Sequence, residues 1–459
     1  MIALLRSPRF VEWRRFASAF TSRFGSTFLS FLVLLVASKL LTIDEYGLYV
    51  FLFSIGSALG LIAVLGQQIL VVKHYRRDAP AGDALNGALL RVNALWLAGG
   101  CGALAVAAAG ALLFRSHLPH PYEYLWVALL FAAIFAASEY LQNYFRIHGR
   151  ITLSLAPREI VWRSASAAGF CLAAGAGLLS GGAAAMAVVT LLLGLATAYQ
   201  IAHFFKDEGT AWLKAEGRPA PREWRAETGY FIANNVLNSA QAYLETIVIG
   251  ALLGLDKAAF YFVALRIAML LTLPVTAIDT VGIPLIAARF QQGDRAGAQK
   301  LIGKLSLGAF CISLFGALCL AIVAPFVLYL FNAEFVQHSD VLVVLCALAV
   351  GQAFFGPGSW LLMIGGGERF FLIVRLVLFV VYLGLLYVSG VTFGLIGIAA
   401  AGLAFSLASN YAAARWIAGA WGIDNMATAF FRPFLFGGAP KAGAFANSAA
   451  LRARLEPAE

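Results

Sequence analysis

Apolar stretches long enough to cross a bilayer follow one another along almost the whole chain, separated by short polar turns. They run roughly over residues 16–41, 46–72, 88–114, 122–145, 160–179, 183–205, 230–254, 258–287, 305–331, 341–364, 370–389 and 393–414. Runs such as 28–37 and 314–323 are apolar nearly all round, which excludes β-barrel strands, whose lipid-facing and lumen-facing positions alternate. The pattern therefore predicts an all-α polytopic membrane protein with about twelve transmembrane helices. Composition agrees: 61% of the 459 residues are hydrophobic and only 12% are charged. That is too little charge to coat a soluble domain.

The basic excess, 33 Lys and Arg against 23 Asp and Glu, has a topological explanation. With the N-terminus inside, all the basic residues but Lys39, Arg115, Lys257 and Arg266 fall at cytoplasmic ends, inner loops or tails. The positive-inside rule then places both termini in the cytoplasm and favours an even number of spans. The excess is accounted for by orientation and anionic lipid, and calls for no nucleic-acid partner. The first apolar run is too long for a cleavable signal. The outward turns at 42–45, 116–121, 180–182 and 255–257 leave no room for a folded domain. Cys101, Cys171, Cys311, Cys319 and Cys346 lie within spans and form no CxxC, so they read as packing residues with neither disulfide nor metal site.

The longest inner loop divides the spans six and six. On this basis residues 1–205 form an N-terminal lobe, 206–227 a cytoplasmic linker, 228–421 a C-terminal lobe and 422–459 a mobile cytoplasmic tail. An internal repeat supports the division. Leu40-Leu41-Thr42-Ile43-Asp44 followed by Tyr49 parallels Leu252-Leu253-Gly254-Leu255-Asp256 followed by Tyr261, and the same offset of 212 residues carries Arg77 onto Arg289. Six spans per half give two lobes that enter the membrane in the same sense, related by a pseudo-two-fold axis along its normal, with a path between them.

These segments carry a family resemblance. The run Ser38-Lys39-Leu40-Leu41-Thr42-Ile43-Asp44-Glu45-Tyr46-Gly47-Leu48-Tyr49, with Arg23 before it and Leu65-Gly66 after it, resembles the start of bacterial polysaccharide flippases of the Wzx type. These belong to the multidrug/oligosaccharidyl-lipid/polysaccharide (MOP) exporter superfamily, which also holds the MATE antiporters. Leu244-Glu245-Thr246-Ile247-Val248-Ile249-Gly250 resembles the start of the second half, with Glu245 where Asp is expected. The resemblance implies transport of an undecaprenyl-diphosphate-linked glycan across the bacterial inner membrane. It also implies proton or sodium coupling without a cofactor, and company with membrane lipids, a polysaccharide polymerase and glycosyltransferases.

Ionisable groups at membrane depth cost about 2.5 to 3.5 kcal/mol each on insertion scales, so each requires a partner, a wet cavity or a function. Asn234, Asn238, Gln241 and Glu245 recur at helical spacing, as one polar stripe on the seventh span. The stripe reads as a wall of a hydrated cavity or as interhelical hydrogen bonding. Glu245 and Arg266 each lie ~13 Å of helix from the outer turn between them, a depth at which they can pair or exchange. Glu139, Gln142, Asn143 and Arg146 follow helical spacing in the fourth span, and Arg23, Arg91, Arg163 and Arg375 stand in the first turns of theirs. Arginines there either snorkel to lipid phosphate or bind a substrate diphosphate bidentately.

The substrate-binding candidates are thus Arg23, Arg91, Arg146, Arg163, Arg266, Asn234, Asn238 and Gln241, and the ion-coupling candidates Glu245, Glu139 and Asp279. The absence of GK[ST] after Ile364-Gly365-Gly366-Gly367 removes ATP as a fuel bound by this chain. Two rivals stay open: a MATE-type antiporter of amphipathic cations, and a membrane glycosyltransferase, which the short outer loops disfavour.

Overall fold

The structure is a computed structural model describing residues 25–79, 83–210, 212, 222–364 and 367–431. The described residues are helical almost throughout and follow the expected apolar stretches in order, as an all-α polytopic membrane protein. Among the described residues, seven helices are long and apolar enough to cross a membrane. The remaining passes are interrupted, short or polar, and their interruptions position the polar groups. The chain divides into two compact units, Met1–Ala259 and Phe260–Glu459.

In the first unit, α1 (Gly25–Leu40) turns directly into α2 (Ile43–Ala63). The Thr42 side chain caps α2 by accepting from the Glu45 amide at 3.4 Å, and Asp44 and Glu45 complement the positive end of the helix dipole. Two glycines spaced by four let α2 lie against α5 (Leu125–Ile147). A methyl on Gly56 or Gly60 would stand 2.8 Å from the Ala128 carbonyl oxygen or 2.9 Å from that of Ala132. Small residues at this spacing are how membrane helices approach closely without a hydrophobic driving force between them.

The second span, expected to be continuous to residue 72, breaks at Leu65 and Gly66, whose φ angles are +52° and +75°, and resumes as α3 (Gln67–His74). Left-handed backbone cannot continue the helical ladder. Gly66 is required twice over, because a Cβ there would also stand 2.5 Å from that of Phe231. Two outer passes follow. α4 (Ala84–Leu113) leaves Leu95, Val106 and Leu113 exposed, an apolar surface suited to lipid, and α8 (Gly182–Glu208) packs on α5.

The fifth span, expected over 160–179, starts earlier. α6 (Ile151–Leu155) runs into a π-helical segment, Ala156–Val161, before α7 (Trp162–Gly175). The seventh span, α9 (Arg222–Leu252), packs within this unit. Ser239 donates to the Ala58 carbonyl at 2.8 Å, and Gly250 abuts the Phe51 ring. These α2–α9 contacts lie within the compact unit Met1–Ala259.

The second unit takes up the chain within α10 (Leu255–Met269), which passes through a 3-10 turn, Leu270–Thr272, into α11 (Leu273–Gln291). α12 (Arg295–Phe331), α13 (Ser339–Phe354) and α14 (Gly358–Ile364) follow. α15 (Glu368–Trp421) contains two passes folded back at Gly394, where φ is +62°. Residues 422–431, expected to begin a mobile tail, are packed as far as they are described. Asn425 donates to the Phe355 carbonyl at 2.5 Å, and Gln299 donates to the carbonyl and accepts from the amide of Asp424, at 2.7 and 2.9 Å.

The repeat has local counterparts along the chain. Asp44 and Asp256 both sit in the first turn of a helix, and Tyr49 and Tyr261 are both buried. Asp83 and Asp294 cap α4 and α12 by accepting the Asn86 and Gly297 amides, at 3.0 and 2.8 Å.

Candidate functional site

Among the described residues, a linked group of four charged side chains lies in the first unit, where the π-helical segment returns along α5. A π turn holds one residue more than an α turn, and such bulges occur frequently at functional sites. Ser154 anchors the approach by donating to the Gln142 carbonyl at 2.7 Å. The wide turn then lays Arg158 against α5. Its guanidinium pairs with Glu139, donates to the Gln142 side chain at 2.8 Å and lies 4.2 Å over the Phe135 ring.

The next residue, Glu159, accepts from the Ser26 hydroxyl of α1 and meets Arg163 at 2.9 Å, one helical turn on. Arg163 donates to the Ser26 carbonyl at 2.6 Å. Glu139, Arg158, Glu159 and Arg163 thus alternate in sign across three elements, and Arg158 is only 9% exposed. Arg158 and Glu159 escaped sequence reasoning because Arg158 had been counted toward orientation. The local signal was Glu159 and Arg163 at i and i+4, just after Pro157.

The residues singled out from the sequence fall into four groups. Glu139 and Arg163 belong to the charge ladder. Arg146, exposed, reaches back to Asn143 at 3.2 Å, Arg91 is exposed on the first turns of α4, and Arg23 lies outside the described residues. On α9, Asn238 and Gln241 are exposed, Asn234 is partly buried and Glu245 is buried. The face of α9 that packs on α2 is instead the neighbouring one carrying Asn235 and Ser239. In the second unit, the Arg266 guanidinium lies 4.8 Å over the Phe262 ring, Arg375 is buried over Phe371 at 5.4 Å, and Asp279 is half-buried on α11.

A second polar network ties the ends of α3, α5 and α8 in the first unit. Glu208 accepts from the hydroxyls of Tyr75, at 2.8 Å, and Tyr144, with His148 3.2 Å from the Tyr75 hydroxyl. Burial and then the Glu208 carboxylate push the Tyr75 phenol up, so it stays protonated as the donor. Glu227, on the first turns of α9, bonds Lys73 and His74 at 2.5 Å each. Desolvation opposes its ionisation, but these two partners outweigh it and hold the carboxyl below its ordinary range. Among the described residues no group of His, Cys, Asp and Glu is arranged to hold a metal.

No protein-family model matches the chain, and no curated protein does. Solved structures do. A multidrug resistance MATE family transporter of the MOP superfamily, in an inward-facing conformation, aligns with a TM-score of 0.65 at 18% identity, over 85% of this chain and 93% of its own. An outward-facing conformation of such a transporter aligns at 0.55 and 16% identity, over 90% and 96%. A MOP superfamily transporter from Pyrococcus furiosus, for which a binding pocket of reverse polarity suggests a different function, aligns at 0.59 and 16%, again over 90% and 96%. At these identities the likeness is one of fold: the chain has the polytopic helical fold of MOP superfamily transporters.

Proposed function

We propose that this chain is a secondary flippase. It moves undecaprenyl-diphosphate-linked oligosaccharide repeat units from the cytoplasmic to the periplasmic leaflet of a bacterial inner membrane, for cell-surface polysaccharide biosynthesis. Both termini are cytoplasmic, and the cycle is alternating access driven by protons or sodium. The observation that carries this reading is the set of guanidinium groups in the first unit. Arg158 and Arg163 are held by carboxylates within a ladder that neutralises itself, while Arg91 and Arg146 remain exposed. Guanidinium forks match the oxygens of a diphosphate, which a carrier of cations has no reason to attract. Asn238 and Gln241, exposed on a helix that crosses the membrane, add a polar surface for sugar hydroxyls.

The test is the leaflet distribution of the lipid-linked glycan. Depleting the protein is expected to make it accumulate on the cytoplasmic leaflet, and an unchanged distribution refutes the reading. A MATE-type antiporter of amphipathic cations is the second reading. It is favoured by the fold of the multidrug transporters above and by two carboxylates, Glu245 and Asp279, at span positions where cations could be exchanged. Resistance to cationic dyes that follows expression of this chain would select it. Either way the chain acts as a transporter and not as an enzyme.

A further inference from the structure

The apolar surface of the second unit is not even. A groove of about 620 Å³ runs between three helices, lined by Phe310 of α12, by Ala347 and Gly351 of α13, and by Leu403, Leu407 and Tyr411 in the second pass of α15. All three helices are long and apolar enough to cross a membrane, so the groove opens onto hydrocarbon and not onto water. Small residues make it. Ala347 and Ala408 are exposed at its mouth, and Gly351 leaves room where a Cβ would stand 2.7 Å from the end of Leu407. Phe310 and Phe354 meet edge to face, with ring centroids 5.6 Å apart, and form one wall. The lining holds no charged side chain, and its one hydroxyl is that of the exposed Tyr411. The volume lies within the roughly 300 to 1,000 Å³ usual for ligand sites, and such a lining selects a hydrocarbon chain.

Charge stands at one end of the groove. Leu403, Leu407 and Tyr411 recur every four residues, and the next member of the row is Arg415, exposed and ~6 Å of helix beyond Tyr411. α12 runs past this pass in the opposite sense. Gln299 bonds the backbone of Asp424, and Ser306 donates to the Asn425 carbonyl at 2.9 Å, so the start of α12 lies with the end of α15. Lys304, exposed on α12 and ~9 Å of helix before Phe310, therefore stands at the same end as Arg415. Among the described residues no hydrogen bond or ion pair engages either cation. An apolar slot with two unengaged cations at its end is complementary to an amphiphile with an anionic head, and Tyr411, half apolar and half polar, sits between the two. Length favours a phospholipid over a polyprenyl carrier. From Arg415 to Leu403 the helix rises ~18 Å, close to the ~15 Å that one leaflet of acyl chains spans.

We propose that the groove between α12, α13 and the second pass of α15 binds one anionic phospholipid, an acyl chain in the slot and the phosphate head at Arg415 and Lys304. The site goes beyond the transport reading and is independent of which cargo the chain carries. The test is native mass spectrometry of the full chain, released from detergent after incubation with phosphatidylglycerol or phosphatidylcholine of the same acyl chains. One phosphatidylglycerol is expected to stay bound after the surrounding lipid is stripped, about tenfold more tightly than phosphatidylcholine. Ala347→Phe and, separately, Ala408→Phe fill the mouth from exposed positions, so each should keep the wild-type melting temperature and lose the retained lipid of either kind. Arg415→Gln combined with Lys304→Gln should leave phosphatidylcholine retention unchanged and bring phosphatidylglycerol down to its level. Equal retention of the two lipids by the wild type, or undiminished phosphatidylglycerol in the folded phenylalanine variants, overturns the proposal. So does its displacement by equimolar undecaprenyl phosphate, which would assign the groove to a polyprenyl tail instead.

Discussion

A guanidinium buried beside a carboxylate loses hydration that only its partners can offset, so removing one member leaves the other uncompensated. Arg158 and Glu139 are such a pair, with Gln142 and the Phe135 ring completing the surroundings of the guanidinium. Arg158→Ala is expected to destabilise the protein by about 3 to 5 kcal/mol, read as a loss of thermal stability in detergent. The double variant Arg158→Met with Glu139→Gln should recover most of that loss; if the two effects simply add, the pair is not coupled. Conversion of the exposed Arg146 to Gln should leave stability within about 0.5 kcal/mol and show itself only in transport. At this scale Glu139 is legible from helical spacing and Arg163 from its place at the start of a span. Arg158 is not, because which way a side chain points depends on a π turn that no period in the sequence announces.

Elements are set by where the backbone departs from the helical ladder. Gly394 adopts φ +62° in open space, and Gly66 adopts φ +75° against Phe231. Gly394→Ala should therefore cost about 1 to 3 kcal/mol, because φ +62° with ψ −138° is a conformation kept essentially for glycine, and in Gly66→Ala overpacking against Phe231 adds to a left-handed strain of about 1 to 2 kcal/mol. A loss in Gly66→Ala no greater than that left-handed strain, on chemical denaturation, would show that the contact with Phe231 is soft.

The Glu227 bonds to Lys73 and His74 tie α3 to α9. Because the folded carboxyl is held low, their contribution is complete above the unfolded value of about 4.3 and is lost as pH falls through the depressed one. The melting temperature should be flat from near neutrality to about pH 5 and drop below about pH 4, a drop that Glu227→Gln reduces. Lys73 is 52% exposed on its side chain, so the effect is small and screened by salt. The break at Leu65-Gly66 escaped the hydropathy pattern because apolar residues resume after two residues, at Ile69, and that at 156–161 because it lies at the edge of an expected span.

For the whole molecule, the same charge ladder and polar stripe must choose between two cargoes. Neutralising Arg91 and Arg146 together should lower glycan translocation at least tenfold if the cargo is a diphosphate, and should leave dye efflux unchanged or raised if it is a cation; assays on the same vesicles separate the outcomes. Hydropathy determined that the chain is an all-helical polytopic membrane protein, because burying apolar surface in lipid is a sum over composition that order along the chain already contains. Tertiary structure alone decided that Arg158 faces Glu139, that α9 packs with the first unit through Ser239 and Gly250, and that residues 422–431 are held against α12 and Phe355. Those outcomes depend on the hand of a turn and on how closely two small residues let helices approach. Such geometry is fixed by contacts between residues far apart in sequence, and no local pattern carries it.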